Sequence, residues 1–383
     1  GFWDPVVLVN RSGWILRGFQ IDGSATEAVG VQVLEGGART VLRDLVVVDA
    51  GSAGVTLGPK LNQAHLRNLV LQYAKGSQGG AGHGIVVLGG CQAISIEANF
   101  IHHNKGDGIH LLGAHVVPFS LGVVTGLTAT RDLQIRANEL YNNRGHGVVI
   151  GHSVGTQITR NRIWNVRPSQ IGHGVGIEIH DGAQDVVIES NLIAETTEGI
   201  VIAAGSRAEI RPDGARAPQG VLVERNVIYN PLTSGRYGIF IDTATSVRLY
   251  HNVVERTRNA LLINDLPPKT ANLRVLNNLF LDASELGFRV SGMAVFERFD
   301  YNAFGRAGSA VQSEIGEVRQ SIASLIDEGQ ITNSFVVDEA GFDSGDLAVP
   351  NGVQVVDKGT AIPGFNYQGT APDLGPYEHP SVN

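Results

Sequence analysis

Nine of the twelve histidines, His83, His102, His103, His110, His115, His146, His152, His173 and His180, lie within about a quarter of the 383-residue chain. Imidazole takes and gives protons near neutral pH, so a cluster of this kind has the parts for acid–base chemistry. The same window also holds the carboxylates Asp107 and Glu178 and the phenol of Tyr141. At its centre the segment YNNRGHGVVIGHS sets His146 between Gly145 and Gly147. Whether His146 is a catalytic group or the polar tip of a turn depends on which side chains the fold brings to it.

The elements that position these residues are legible as a repeat. An apolar alternation is followed by Asn, a second short alternation, a polar turn, and Gly leading into Ile or Val, as in IEANFIHHNKGDGIHLLG, IRANELYNNRGHGVVIG and IESNLIAETTEGIVIAAG. The asparagines fall at Asn68, Asn99, Asn138, Asn161, Asn191, Asn226, Asn252, Asn278 and Asn302, at intervals of 23 to 39 residues. Each copy supplies three short strands and cannot bury its inner face alone, so the copies must stack as turns of a solenoid. At a sharp bend, the amide of each Asn can then bond its equivalents above and below, forming an internal ladder. The Gly before each Ile or Val is expected to relieve the next corner. The expected fold is all-β: a right-handed parallel β-helix over residues 1–305, with a C-terminal capping segment over 306–383. Within that segment, EIGEVRQSIASLIDE (314–328) has helical spacing and stops at Gly329. At the other end, Phe2, Trp3 and Trp14 are the residues able to cover the first turn, and a start at Gly1 without methionine reads as a mature or trimmed form.

The remaining composition narrows the partners. A net charge of −8 without a basic cluster argues against nucleic acid, and no apolar run of 18 residues spans a membrane. The lone Cys91 cannot form an internal disulfide. Arg outnumbers Lys by 24 to 5, which suits bidentate recognition of carboxylates.

The repeat resembles the right-handed parallel β-helix (pectate lyase-like) superfamily of secreted bacterial carbohydrate-active proteins. The resemblance covers roughly residues 10–305. It implies a polysaccharide or oligosaccharide substrate, a secreted, periplasmic or cell-surface location, and a substrate groove on the strand after the Gly corner. Aligning the turns on that Gly gives columns: His83, Asp107, His146, Val175, Glu198 and Tyr237 precede it. Val86, His110, Val149, Glu178, Val201 and Phe240 follow, and then Leu88, Leu112, Gly151, His180, Ala203 and Asp242. Turns stack about 4.8 Å apart, so His110, His146, Glu178 and His180 could share one groove. Long segments at 113–132 and 205–220 would wall it, and a third at 166–174 enlarges the turn before Glu178. A further outward column, His102, Tyr141, Trp164, Ala194 and Tyr229, offers aromatic rings for sugar faces.

Two chemistries fit these residues. A uronate lyase needs a base for the C5 proton (His146 or His110), a donor for the leaving oxygen (Tyr141 or His180) and a cation for the carboxylate (Arg144, Arg160 or Arg162). A glycoside hydrolase could pair Asp107 with Glu178 across two turns, roughly 10 Å between backbones. The polygalacturonase pattern is only partly present: Asp107 and His146 match it, His83 stands where an acid belongs, and its downstream Arg-Ile-Lys is absent. The acid-proline-histidine motif of mannuronan epimerases is missing, since Asp4-Pro5 is followed by Val6. No compact metal motif occurs and none is expected. His102 and His103 with His110, or the run from Glu178 to Asp181, hold suitable ligand types, and calcium would have only Glu178, Asp181 and Asp242. The expected function is β-elimination on a uronate-containing polysaccharide, with His146, Asp107, Glu178, His110, His180 and Tyr141 catalytic and Arg144, Arg162, His102, Trp164, Tyr229 and Asp242 binding. The alternatives are the hydrolase and a non-catalytic glycan-binding or structural β-helix.

Overall fold

The computed structural model describes residues 5–24, 29–76, 82–112, 128–169, 173–205, 216–230, 235–264, 270–291, 295–305, 312–316, 318–337 and 355–376. The chain forms two compact units, Gly1–Val187 with Ala203–Pro218, and Ile188–Ile202 with Gln219–Asn383. Each is a parallel β-solenoid.

In the first unit every turn contributes one strand to each of three parallel sheets. The first sheet runs through Val7–Val9, Val31–Val33, Ala53–Leu57, His83–Val87, Ile109–Leu111, His146–Ile150 and Val175–Ile179. Register is set by the apolar alternation, because a slip of one residue would turn the buried side chains outward. Leu42, Leu66, Ile96, Ile135 and Ile158 lie one above another in the second sheet, and Leu71, Ile101, Leu140 and Ile163 in the third. All nine are fully buried. At about 1.5–3 kcal/mol for each buried aliphatic side chain, these columns supply the main cohesion between turns.

The corner between the second and third sheets is closed by the asparagine ladder. Asn99 Nδ2 donates to Asn138 Oδ1 at 2.9 Å, and Asn138 Nδ2 to Asn161 Oδ1 at 2.9 Å. The second unit has its own ladder, Asn191 to Asn226 to Asn252 to Asn278 to Asn302, ended by Ser334 Oγ, which accepts from the Asn302 N–H. Asn68 is the exception among the expected members. It is exposed, and Leu69 occupies the ladder position, its N–H donating to Asn99 Oδ1. The left-handed residue of each bend is the one before the ladder position, and Asn68 (φ 53°) fills that place as Ala98 and Ala137 do one and two turns on.

The corner before the first sheet differs from expectation in a way that bears on function. Its left-handed residues include His103 and Asn142, and Gly82, Gly145 and Gly174, each just before a first-sheet strand, also have positive φ; Gly108 and Gly147, which precede Ile109 and Val148, do not. Gly108 and Gly147 are there for space: a Cβ on Gly108 would stand 2.6 Å from Leu140 Cδ2, and one on Gly147 2.5 Å from Ile163 Cγ2. A second, shorter ladder fixes this corner, with Asn104 Nδ2 donating to Asn143 Oδ1 and the Ala74 N–H to Asn104 Oδ1, both at 3.0 Å.

In the second unit, parallel pairing continues past residue 305, since Phe335–Val337 pairs with Ala303–Gly305. The helix read over 314–328 is shorter than its spacing suggests. Gln312–Ile315 and Val318–Ser321 pair antiparallel, Gly316 between them has φ 63°, and only Ile322–Asp327 is helical. The Ser321 side chain caps it by accepting from the Ser324 N–H. Phe2 and Trp3 lie outside the described residues, and Trp14 is 55% exposed.

Candidate functional site

The register places His83, Asp107, His146 and Val175 in one column of the first sheet, and Val86, His110, Val149 and Glu178 in another. Asp107 sits at the centre. Its Oδ1 accepts from the His146 N–H at 2.7 Å and lies 2.8 Å from His146 Nδ1, while its Oδ2 lies 2.6 Å from His110 Nδ1. Gly145 makes this approach possible: its φ is 125°, and a Cβ there would overlap Asp107 Oδ1. The other ring nitrogen of His146, Nε2, is 2.9 Å from Glu178 Oε2. One imidazole therefore joins two carboxylates, and all three groups are buried.

The charges follow from this packing. Burial opposes charge on His146, but Asp107 and Glu178 outweigh it and raise its pKa to about 10. Burial likewise works against the Glu178 carboxylate, and the His146 cation overcomes it, bringing the pKa down to about 2. Asp107 is held well below the usual carboxylate range against the burial penalty by the His146 charge and by histidine hydrogen bonds. At neutral pH the trio is anion, cation, anion.

Protonated and held between Asp107 and Glu178, His146 does not suit the role of base expected of it. Asp107 and Glu178 do not suit a hydrolase pair either, because a general acid must keep a proton that both have lost.

Two other histidines remain. His110 is the more open, with 21% of its side chain exposed. Burial lowers its pKa against the pull of Asp107, which keeps the ring neutral. Its Nδ1 hydrogen donates to Asp107, so the Nε2 lone pair is left free. His180 Nδ1 is 2.9 Å from Asp181 Oδ2. Burial opposes its charge, but the Asp181 contact and the Glu178 charge prevail, so its pKa is raised. Among the described residues of this cluster, His146 Nε2, both ring nitrogens of His180 and Glu178 Oε1 are buried without a well-aligned hydrogen bond, so the His146–Glu178 and His180–Asp181 contacts are ion-pair contacts by distance.

The other expected residues lie elsewhere. Tyr141 belongs to the third sheet, where His102, Tyr141 and Trp164 stack with centroids 4.6 Å apart at each step. Their faces cover one another, so the row presents ring edges rather than a platform for sugars. Desolvation raises the Tyr141 pKa, which makes it a poorer proton donor. Arg162 extends along this row, 5.8 Å from the Trp164 centroid and 3.9 Å from Glu139. Arg144 is exposed in the turn that leads into His146. Tyr229 and Asp242 belong to the second unit. There the Tyr229 hydroxyl accepts from Arg256 at 2.8 Å and Asp242 accepts from Thr243 at 3.0 Å. The expected groove walls fall largely on 113–127 and 206–215, and part of the enlarged turn on 170–172, outside the described residues. A surface depression of about 370 Å³ lies on the second sheet, lined by Arg39, Gln63, His65, Ser95, Asp132 and Gln134. It is away from the titratable cluster, and contact chemistry favours the cluster as the site. The binding list read from the sequence left out His83 and Asp181, although the column alignment contained His83 and Asp181 adjoins His180. The close approach at Gly145 had no signal beyond the glycine itself.

The family model for the right handed beta helix region matches residues 6–215. The chain belongs to the right-handed β-helix family. Among solved structures it is similar to the periplasmic alginate epimerase AlgG, with 12% identity, 82% of this chain and 77% of that chain covered, and a TM-score of 0.51. It is also similar to pectate lyase Pel9A, with 12% identity, 91% and 88% covered, and a TM-score of 0.50. At such identity these likenesses concern the fold. No curated protein matches the sequence.

Proposed function

We propose that the protein is an extracytoplasmic enzyme that cleaves a uronate-containing polysaccharide by β-elimination. The observation that carries this reading is the hydrogen bond from His110 Nδ1 to Asp107 Oδ2 at 2.6 Å. It orients the ring and leaves Nε2 as a lone pair at the exposed edge of the cluster, the arrangement a general base requires. His110 Nε2 takes the C5 proton, the C4–C5 double bond forms as the C4–O4 bond breaks, and His180 protonates the departing oxygen. The two rings are close enough for their charges to interact. Asp107 and Asp181 hold these rings, and His146 with Glu178 holds Asp107. Arg144 is an exposed cation two residues before His146, as Lys105 is before Asp107, and its planar guanidinium is assigned to the uronate carboxylate. The two fold relatives are named for alginate and pectate, both polyuronates, and one of them is periplasmic, which accords with this reading.

The test is a panel of alginate, pectate, glucuronan and neutral glucans, with the ultraviolet absorbance of the unsaturated product read beside reducing ends. β-Elimination raises both signals on an acidic polymer. Reducing ends alone would mean hydrolysis, and silence in both would mean a binding or structural protein; either result defeats the proposal.

A further inference from the structure

His83 takes no part in the proposed reaction, yet it points its Nδ1 into the same spot as Asp107 and His110. That nitrogen lies 3.0 Å from the Asp107 N–H and 3.2 Å from Asp107 Oδ2. One ring nitrogen cannot both accept from the amide and donate to the carboxylate. The amide hydrogen is fixed by the backbone, so Nδ1 is the acceptor, and it then faces a carboxylate oxygen with no hydrogen between them. Two electron-rich atoms at this separation repel unless a cation lies beside both. His110 Nδ1 reaches the same Oδ2, the His83 and His110 ring centroids are 4.8 Å apart, and one ligand atom from each of the three residues lies within 4.8 Å of the others.

We infer that His83, Asp107 and His110 form a binding site for a borderline divalent transition cation, with Zn²⁺ as the type, and that filling it switches off the base. Ligands on a tetrahedral zinc with bonds of about 2.0–2.1 Å stand roughly 3.3 Å apart, so the contacts to Oδ2 need change by less than about 1 Å. Two imidazoles and one carboxylate favour zinc, cobalt or nickel over calcium or magnesium, which prefer oxygen throughout. The Asp107 carboxylate is oriented for this role as metal-binding carboxylates usually are: Oδ1 is tied to His146, leaving Oδ2 for the ion. An ion on His110 Nδ1 replaces the proton shared with Asp107 and moves the ring hydrogen to Nε2, so the lone pair that would take the substrate proton disappears. This last step rests on the proposed function; binding of the ion does not.

The experiment is calorimetric titration of chelator-stripped protein with Zn²⁺, with Co²⁺ visible absorption as a second probe of tetrahedral nitrogen and oxygen ligands. Expected are one ion per chain and an affinity at least tenfold weaker in His83→Gln, while His102→Gln, at the exposed histidine pair, binds as the wild type does. Circular dichroism before metal addition shows whether His83→Gln is folded; if it is not, His83→Asn takes its place. Zn²⁺ inhibits turnover of an acidic polymer by the wild type, and His83→Gln, measured against its own metal-free rate, resists that inhibition at least tenfold better. Absence of saturable binding, or equal binding by wild type and His83→Gln, overturns the inference. Binding as expected in a protein without polymer activity sustains the metal site and defeats only the proposed reaction.

Discussion

Replacing His146 by Leu should unfold the first unit far more readily than an ordinary buried substitution of that size. The cation between Asp107 and Glu178 would be gone, leaving two buried carboxylates without their partner. Lowering the Glu178 pKa from 4.5 to about 2 corresponds to about 3 kcal/mol of stabilisation of its anion, in a side chain 1% exposed. The rise of His146 to about 10 describes the same contacts from the other side, with Asp107 included, so the two are not additive. Breaking a buried ion pair at one partner costs about 3–5 kcal/mol, and His146→Leu should fall in that range at pH 6. The sign with pH is set by both shifts. The Glu178 contribution is full above 4.5 and lost as pH falls toward about 2; the His146 contribution is full below 6.5 and lost as pH rises toward about 10. The difference between wild type and variant is therefore greatest between pH 4.5 and 6.5. Urea unfolding followed by tryptophan fluorescence suits the assay, because Trp14 and Trp164 both lie in the first unit. A difference below about 1 kcal/mol, or one that stays constant up to pH 10, would refute the charge assignment.

Four further outcomes are expected. Asn138→Ala removes a ladder member that accepts from Asn99 and donates to Ile96 O and Asn161, and should cost about 3 kcal/mol or more, whereas Asn68→Ala, at an exposed left-handed corner, should cost about 1 kcal/mol. Denaturant midpoints of the two variants check this. Gly145→Ala pushes the Asp107 carboxylate from its place and strains φ, so it should lower kcat more than it raises KM. His180→Gln should slow turnover by about 10²–10⁴-fold with little change in KM, as loss of a proton donor does. Trp164→Ala should lower the unfolding midpoint while leaving KM near the wild-type value, since its ring face is covered by Tyr141; a tenfold rise in KM would restore it to the binding surface.

How far the sequence could be read follows from what repeats. Identical asparagines at a fixed place in each turn specify the ladder because stacking makes their environments identical, and the same periodicity placed Asp107 beside His146 and His110 beside Val149. Asn68 was misplaced by one residue because Asn is also a good left-handed corner residue, so two roles in adjacent positions look alike. The Gly corner was misread for a related reason. Glycine serves conformation or space, and only the position of Ile163 and Leu140 shows that space decides at Gly147 and Gly108. Charge states were out of reach. The column alignment brought His146 near both carboxylates, but whether it is a free base or a clasped cation depends on contacts of 2.8 and 2.9 Å that strand register does not fix. Tyr141 and Trp164 were read correctly as one aromatic column, and their mutual stacking, which hides the faces, followed from side-chain angles alone.

The most direct test of the central claim is the rate of unsaturated-product formation by His110→Gln against wild type on the best acidic polymer, with circular dichroism of both. Removal of the oriented base should cut kcat by at least 10²-fold at unchanged fold and nearly unchanged KM. Turnover within a few-fold of wild type by a folded His110→Gln would contradict it.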